Sequence, residues 1–228
     1  MKQAPPKKAE PVIDLQESTV KKEEPPIIRS GMGVSGKIGT LGYGGELYAR
    51  ISDSIVARAG LNAYSYKYNA NSSQLNYDFS VKLQTISAVA DWYPFAGDFR
   101  TSAGLLYNNN KYSLAANPTG GNFIIGAGTY SSTTQVASLN ATMAFNKIAP
   151  YFGLGWGNPV AKDKGWGLVT DIGLLFQGNP IIDLTVTCVS ICAGTLQADA
   201  AAENAKLQND FSGLKWWPVA SIGISYQW

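Results

Sequence analysis

Seven charged side chains, Lys37, Glu46, Arg50, Arg58, Lys82, Arg100 and Asp171, stand in stretches where every second residue is apolar. Each is therefore carried on the polar side of a segment whose other side is greasy. Inside a membrane-spanning segment a charge is costly unless it faces water or a partner of opposite sign, so such groups point either to a pathway or to internal pairing. The chemistry open to them is electrostatic. Their mixed signs suit a solid polar core of ion pairs, and they equally suit a constricted route whose opposed charges match a zwitterion. Catalysis has little to work with: the chain contains no histidine, which removes the commonest general base and the commonest metal ligand. No Asp, Glu or Lys is placed to activate a nucleophile in its stead. The expectation is a protein that is not an enzyme, with no metal site and no cofactor. Asp91, directly before Trp92-Tyr93-Pro94, reads as a turn or rim residue.

The elements that must carry these charges show a period of two after residue 31. In the closing segment Ile222, Ile224, Tyr226 and Trp228 alternate with Ser221, Gly223, Ser225 and Gln227, as in a half-buried strand. The same two-faced pattern runs through 55–66, 135–146 and 166–177. A soluble sandwich would also alternate, but here the apolar faces repeatedly end in aromatics while the opposite faces carry glycine and charge. That combination fits lipid outside, a narrow polar lumen inside and aromatic girdles at the interfaces. The girdle candidates are Trp92, Tyr93, Trp156, Trp166, Trp216, Trp217 and Trp228, amphipathic rings at strand ends that belong at headgroup depth. Composition agrees. Charged residues make up 15% of the chain against a usual ~25%, and the mean hydropathy of -0.06 is what alternation gives. With 18 Lys+Arg scattered among 16 Asp+Glu there is no basic patch for nucleic acid.

Further strand runs are 33–50, 77–92, 99–112, 149–157 and 180–187. The connections Ile51 to Ser54, Pro94 to Asp98, Lys147 to Pro150 and Gly178 to Pro180 read as tight turns, which in an outer-membrane barrel face the periplasm. The stretches 67–76, 113–132 and 188–214 read as long external loops. The count of strands comes out odd, whereas single-chain bacterial barrels close with an even number. Either 33–50 folds back near Thr40-Leu41-Gly42-Tyr43-Gly44-Gly45, giving ten, or 180–187 stays outside, giving eight. Ala198 to Asp210 reads as a short, solvated helix in the last connection. Cys188 and Cys192 suit a local disulfide in an exported protein. The glycines at 153, 155, 157, 165, 167, 173 and 223 face inward by alternation, either leaving room for solvent or allowing tight curvature. Residues 1–30, with five lysines, five acids and five prolines, read as a disordered tail, so the division is a tail over 1–30 and a barrel over 31–228.

Four stretches carry a family resemblance: Gly39-Thr40-Leu41-Gly42-Tyr43-Gly44-Gly45, Ile148-Ala149-Pro150-Tyr151-Phe152-Gly153-Leu154-Gly155-Trp156, Gly178-Asn179-Pro180, and Trp216-Trp217-Pro218-Val219 with the terminal aromatic. In that order, from about residue 33 to the end, they resemble the CarO-type outer-membrane proteins of Acinetobacter and related proteobacterial barrels. The resemblance implies an all-β fold, a closed antiparallel up-and-down transmembrane barrel. It also implies a monomer of eight strands, the number we expect over ten, and passive uptake of small polar solutes such as small or basic amino acids, ornithine among them. The alternative function is a closed-lumen structural or interaction barrel acting through its external loops or its periplasmic tail. The expected location is the outer membrane. The expected partners are its lipid and lipopolysaccharide, the barrel-assembly machinery that reads the terminal aromatic strand, and small amino-acid solutes. The Lys/Glu/Pro tail and the cysteine pair depart from the family pattern.

Overall fold

The computed structural model describes residues 1, 31–71, 75–95, 97–160 and 165–228; the rest of the expected tail lies outside them. Thirteen strands and one helix follow in order: β1 (Met32–Gly39), β2 (Gly42–Arg50), β3 (Ile55–Asn71), β4 (Leu75–Trp92), β5 (Phe99–Asn108), β6 (Lys111–Pro118), β7 (Asn122–Ile125), β8 (Gly128–Ser131), β9 (Val136–Ala144), β10 (Ile148–Trp156), β11 (Gly165–Phe176), β12 (Ile181–Cys188), α1 (Gly194–Asp210) and β13 (Trp216–Gln227). Eight of the strands close a ring in the order β1-β2-β3-β4-β5-β10-β11-β13, with β13 returning to β1, and every pairing is antiparallel. The sheet therefore has no edge within the ring, which is how a spanning sheet satisfies its backbone in hydrocarbon.

The first turn shows how local sequence sets this geometry. Gly39 pairs with Gly42, and Gly42 has a φ of 100°, where a Cβ would also meet the Ala63 carbonyl oxygen at 2.5 Å. Glycine is the residue that takes both conditions. Thr40 then accepts from the Ala220 N–H at 3.1 Å and donates to the Pro218 carbonyl at 2.8 Å, locking the turn to β13 where the ring closes.

Five strands of the wall rise beyond the ring. β6 continues β5: Asn108 pairs with Thr85, and Lys111 with Lys82, in unbroken register on β4. β9 leads into β10 in the same way: Tyr107 pairs with Ile148 and Lys111 with Ala144. β12 follows β11 past Gln177–Pro180 and pairs with β9. Lys147–Pro150 and Gly178–Pro180, expected as periplasmic turns, are thus places where one long strand is interrupted. This resolves the odd count. The run 33–50 does fold back, and 135–146 with 149–157, like 166–177 with 180–187, forms one interrupted strand, leaving eight. The stretches expected as loops are also more structured: 67–76 is mostly the tips of β3 and β4, and 113–132 holds β6 and the β7–β8 hairpin. Gly31, Trp228 and the strand ends at Arg50, Ile55, Trp92, Phe99, Trp156 and Gly165 lie at one end, here the terminal end; the extension stands at the other, the far end.

The helix is longer than expected and is not merely solvated. Leu196 and Ala200 are buried against Ile125, Tyr130 and Val136, with Leu139 and Val186 alongside. Cys188 and Cys192 are bonded at the end of β12, their Cα atoms 5.4 Å apart. Tyr130 donates to Asp199 at 2.5 Å, and this bond holds the phenol above its ordinary value of 10.0. A raised folded-state value means that the contribution is complete below the unfolded value and lost as pH rises through the folded one. The α1 helix should accordingly become more susceptible to protease above about pH 10, and Tyr130→Phe should abolish that dependence; digestion at stepped pH checks it.

Candidate functional site

The outer surface of the ring is an apolar belt. Ile38, Leu47, Leu61, Ile86, Leu105, Phe152, Leu154, Leu168, Ile172 and Ile224 are each more than half exposed. Soluble monomers rarely expose large side chains of this kind in one continuous band. On a closed barrel it is solvated by lipid, so the ring spans a membrane. Aromatics border it at both ends. Trp92, Trp156, Trp166 and Trp228 point outward at the terminal end, where the Trp166 ring lies tilted against Tyr226 with centroids 5.1 Å apart, and Trp216 lies against Phe176 at 4.8 Å at the far end. Two of the seven expected girdle residues are elsewhere. Tyr93 is 3% exposed and turned inward with Tyr48, Val56 and Val160, and Trp217 faces the lumen, packed on an apolar layer at the far mouth. Both fall on the inward parity of their strands.

The lumen is filled in three layers. At the terminal end Tyr48, Val56, Tyr93 and Val160 close it, and Tyr93 donates to the Gly157 carbonyl at 3.2 Å. At the far end Leu41, Val89, Leu106, Ala149, Tyr151, Leu175 and Val219 form a second apolar layer. Between them lie three cations, Lys37, Arg58 and Arg100, and three carboxylates, Glu46, Asp91 and Asp171. Arg58 is the hub, within 3.2 Å of Glu46, 3.0 Å of Asp91 and 3.2 Å of Asp171. Lys37 adds to Glu46 at 2.5 Å, and Arg100 to Asp171 at 2.9 Å, while Arg100 also donates to the Gly157 carbonyl at 2.5 Å. Tyr48 donates to Glu46 at 2.5 Å and Ser102 to Asp91 at 2.5 Å. The cavity beside this cluster measures ≈20 Å³, room for about one water molecule.

Of the sequence-derived candidates, the structure brings Lys37, Glu46, Arg58, Arg100 and Asp171 into one cluster. Arg50 is half-buried at the terminal end of β2, apart from it. Lys82 does not belong: it sits on β4 beyond the ring, on the parity of the outward residues Gln84 and Ile86, and is exposed. The strand was read correctly, but the expected inward face was not: beyond the membrane the polar side of β4 turns outward, to headgroups and water. Asp91, expected at a turn or rim, is fully buried between two arginines. Its inward parity with Ser87 and Val89 was the available signal; the adjacent Trp-Tyr-Pro masked it. Gly153 and Gly155 do not hold solvent space, whereas Gly165, at the terminal end, has nothing within 4 Å of where a Cβ would stand. A Cβ at Gly155 would lie 2.8 Å from the Arg100 guanidinium carbon, and one at Gly153 would meet the Tyr151 ring at 2.7 Å, so neighbouring side chains occupy the volume that glycine vacates. No group of His, Cys, Asp and Glu among the described residues could hold a metal ion.

Known structures share this architecture. CarO of Acinetobacter baumannii superposes with a TM-score of 0.55 at 24% identity, over 90% of this chain and 100% of that one. The chain has a CarO-like fold. CarO2 of the same organism gives 0.54 at 23% identity, over 86% and 98%. No protein-family model matches the chain, nor does any curated protein sequence.

Proposed function

We propose that the protein is an integral outer-membrane barrel, its chain ends in the periplasm and its extension outside, and that it is a gated route for small polar solutes such as small or basic amino acids. The carrying observation is the neutral cluster in which Arg58 is shared among three carboxylates. Its hydrogen bonding is incomplete: Arg58 Nε has no hydrogen-bond partner among the described atoms, and Arg100 Nε and Asp91 Oδ2 meet only as an ion pair at 3.8 Å, so on this reading a solute's own charges complete bonds that the cluster leaves unmade. An ammonium and a carboxylate on one small solute offer both signs at once. The CarO-like fold and the short terminal-end links support the placement in the membrane.

A second reading, a closed barrel acting through its extension, is favoured by the ≈20 Å³ cavity and the apolar layers on either side of the charges. Swelling of liposomes in glycine and in ornithine separates the two. Gated conduction gives swelling above protein-free vesicles, accelerated by Tyr151→Ala, which removes a ring from the cavity wall. Swelling at the protein-free rate in both proteins leaves the closed barrel.

A further inference from the structure

The outward face of the extension carries lysines that form no ion pair among the described residues. Lys82 on β4 and Lys111 on β6 are direct cross-strand partners, an arrangement in which like charges repel. Lys67 on β3 lies diagonal to Lys82, since Ser65 is the residue opposite Lys82. Lys147 joins them through side chains: it donates to Asn109 at 2.5 Å, and Asn109 donates to Gln84 at 3.0 Å, one step below Lys82 on the same face. All four lysines are exposed, and none has an ion pair among the described residues. Asp78, diagonal to Lys67, is the nearest acid on this face by register, and it makes no ion pair.

Their depth identifies the partner. Ile86 and Tyr107, paired across β4 and β5, are the last outward apolar row of the belt here. The Gln84–Asn109 row follows, then Lys82 and Lys111, roughly 13 Å along the strand from Ile86 at ~3.3 Å per residue, and less along the membrane normal because strands tilt. That is headgroup depth. Directly above lies a groove of ≈480 Å³ lined by Lys67, Asp78, Asn69, Ser80, Ser113 and Asn140 among others; its amides, hydroxyls and the Asp78 carboxylate are groups that bind sugar hydroxyls, while the phosphate is left to the lysines below.

We propose that this face binds the phosphorylated sugar headgroup of an outer-leaflet glycolipid, with Lys82, Lys111 and Lys147 on the phosphate and the groove on the sugar. The site rests on the extension facing outward, as proposed above, but does not depend on conduction. The test is native mass spectrometry of the full-length barrel released from detergent, titrated with a phosphorylated disaccharide lipid, its dephosphorylated form, and phosphatidylglycerol. The phosphorylated glycolipid should be retained in preference to both others. Lys82→Gln/Lys111→Gln should bind it roughly thirtyfold more weakly, at about fivefold per lysine, while Lys215→Gln, an exposed lysine at the same end, should bind as wild type. Equal retention of the dephosphorylated lipid overturns the role of the lysines. Equal retention of phosphatidylglycerol overturns the groove's selection of a sugar, and unchanged binding by the double variant, with circular dichroism showing it folded, overturns the site itself. None of these outcomes would bear on whether solutes pass the lumen.

Discussion

Arg58→Ala should be the most damaging single substitution in the barrel, lowering unfolding stability by about 3–5 kcal/mol, because it leaves buried charge without its partner. Arg58 is 3% exposed and touches all three carboxylates of the lumen. Without it, Lys37 and Arg100 face Glu46, Asp91 and Asp171, one negative charge in excess, between apolar layers that admit almost no water. If the loss is one of charge balance, Arg58→Met/Asp91→Asn should recover most of it. That pair keeps two cations against two carboxylates, retains Lys37 on Glu46 and Arg100 on Asp171, and leaves an amide beside the Ser102 hydroxyl that now donates to Asp91. Replacing a buried ionic group by apolar volume is often neutral, whereas removing one partner is not. Urea midpoints of wild type, both single variants and the double variant in detergent give the coupling energy directly. Additive losses would mean that Arg58 matters for its packing, and the shared-cluster account of the gate would fall with it.

The alternation was legible because it is a local property: a residue's parity on its strand fixes which face it joins, and Lys37, Glu46, Arg58, Arg100 and Asp171 needed nothing more to be placed inward. Depth was not legible, because the same period of two continues where a strand leaves the membrane. Lys82 is a charge between apolar neighbours just as Arg58 is, but beyond the Ile86–Tyr107 row the outward face meets headgroups and water, so there the polar side of the strand is the outward one. The strand count failed for a related reason. Asn146-Lys147 and Gly178-Asn179-Pro180 have turn composition, yet the ladder runs past both: Asn108 donates its N–H to Lys147 at 2.7 Å and Asn146 to Gln177 at 3.1 Å. Turn chemistry identifies an interruption but not whether the chain reverses there. That depends on the neighbouring strand, which is far away in sequence. Asp91 and Tyr93 were lost to the opposite bias, a Trp-Tyr-Pro sequence that suggests an interface although both residues keep inward parity.

The second large effect concerns the glycines, and it separates a filled lumen from a wet one. Gly155→Ala should destabilise the barrel by about 1–3 kcal/mol, the range for overpacking, whereas Gly36→Ala should be close to neutral. Both residues lie within ring strands and neither has a left-handed φ, so backbone freedom is matched and surroundings decide. At Gly155 the added methyl meets the Arg100 Cζ and Nε atoms at 2.8 Å and the Thr170 carbonyl at 2.8 Å. Arg100 cannot step aside cheaply: it is fully buried and held by the Gly157 carbonyl and Asp171. At Gly36, on the lipid-facing parity of β1, nothing lies within 4 Å, so a methyl displaces only hydrocarbon. Were the lumen instead wide and hydrated around the charges, Arg100 would swing into water and only the backbone contact with the Thr170 carbonyl would separate the two alanines, bringing their costs close together. Parallel unfolding curves for the two variants therefore report on lumen packing without any measurement of transport. Equal midpoints would show that the filled interior opens readily around Arg100, and a larger loss at Gly155 that any passage must first dislodge a side chain held on both sides.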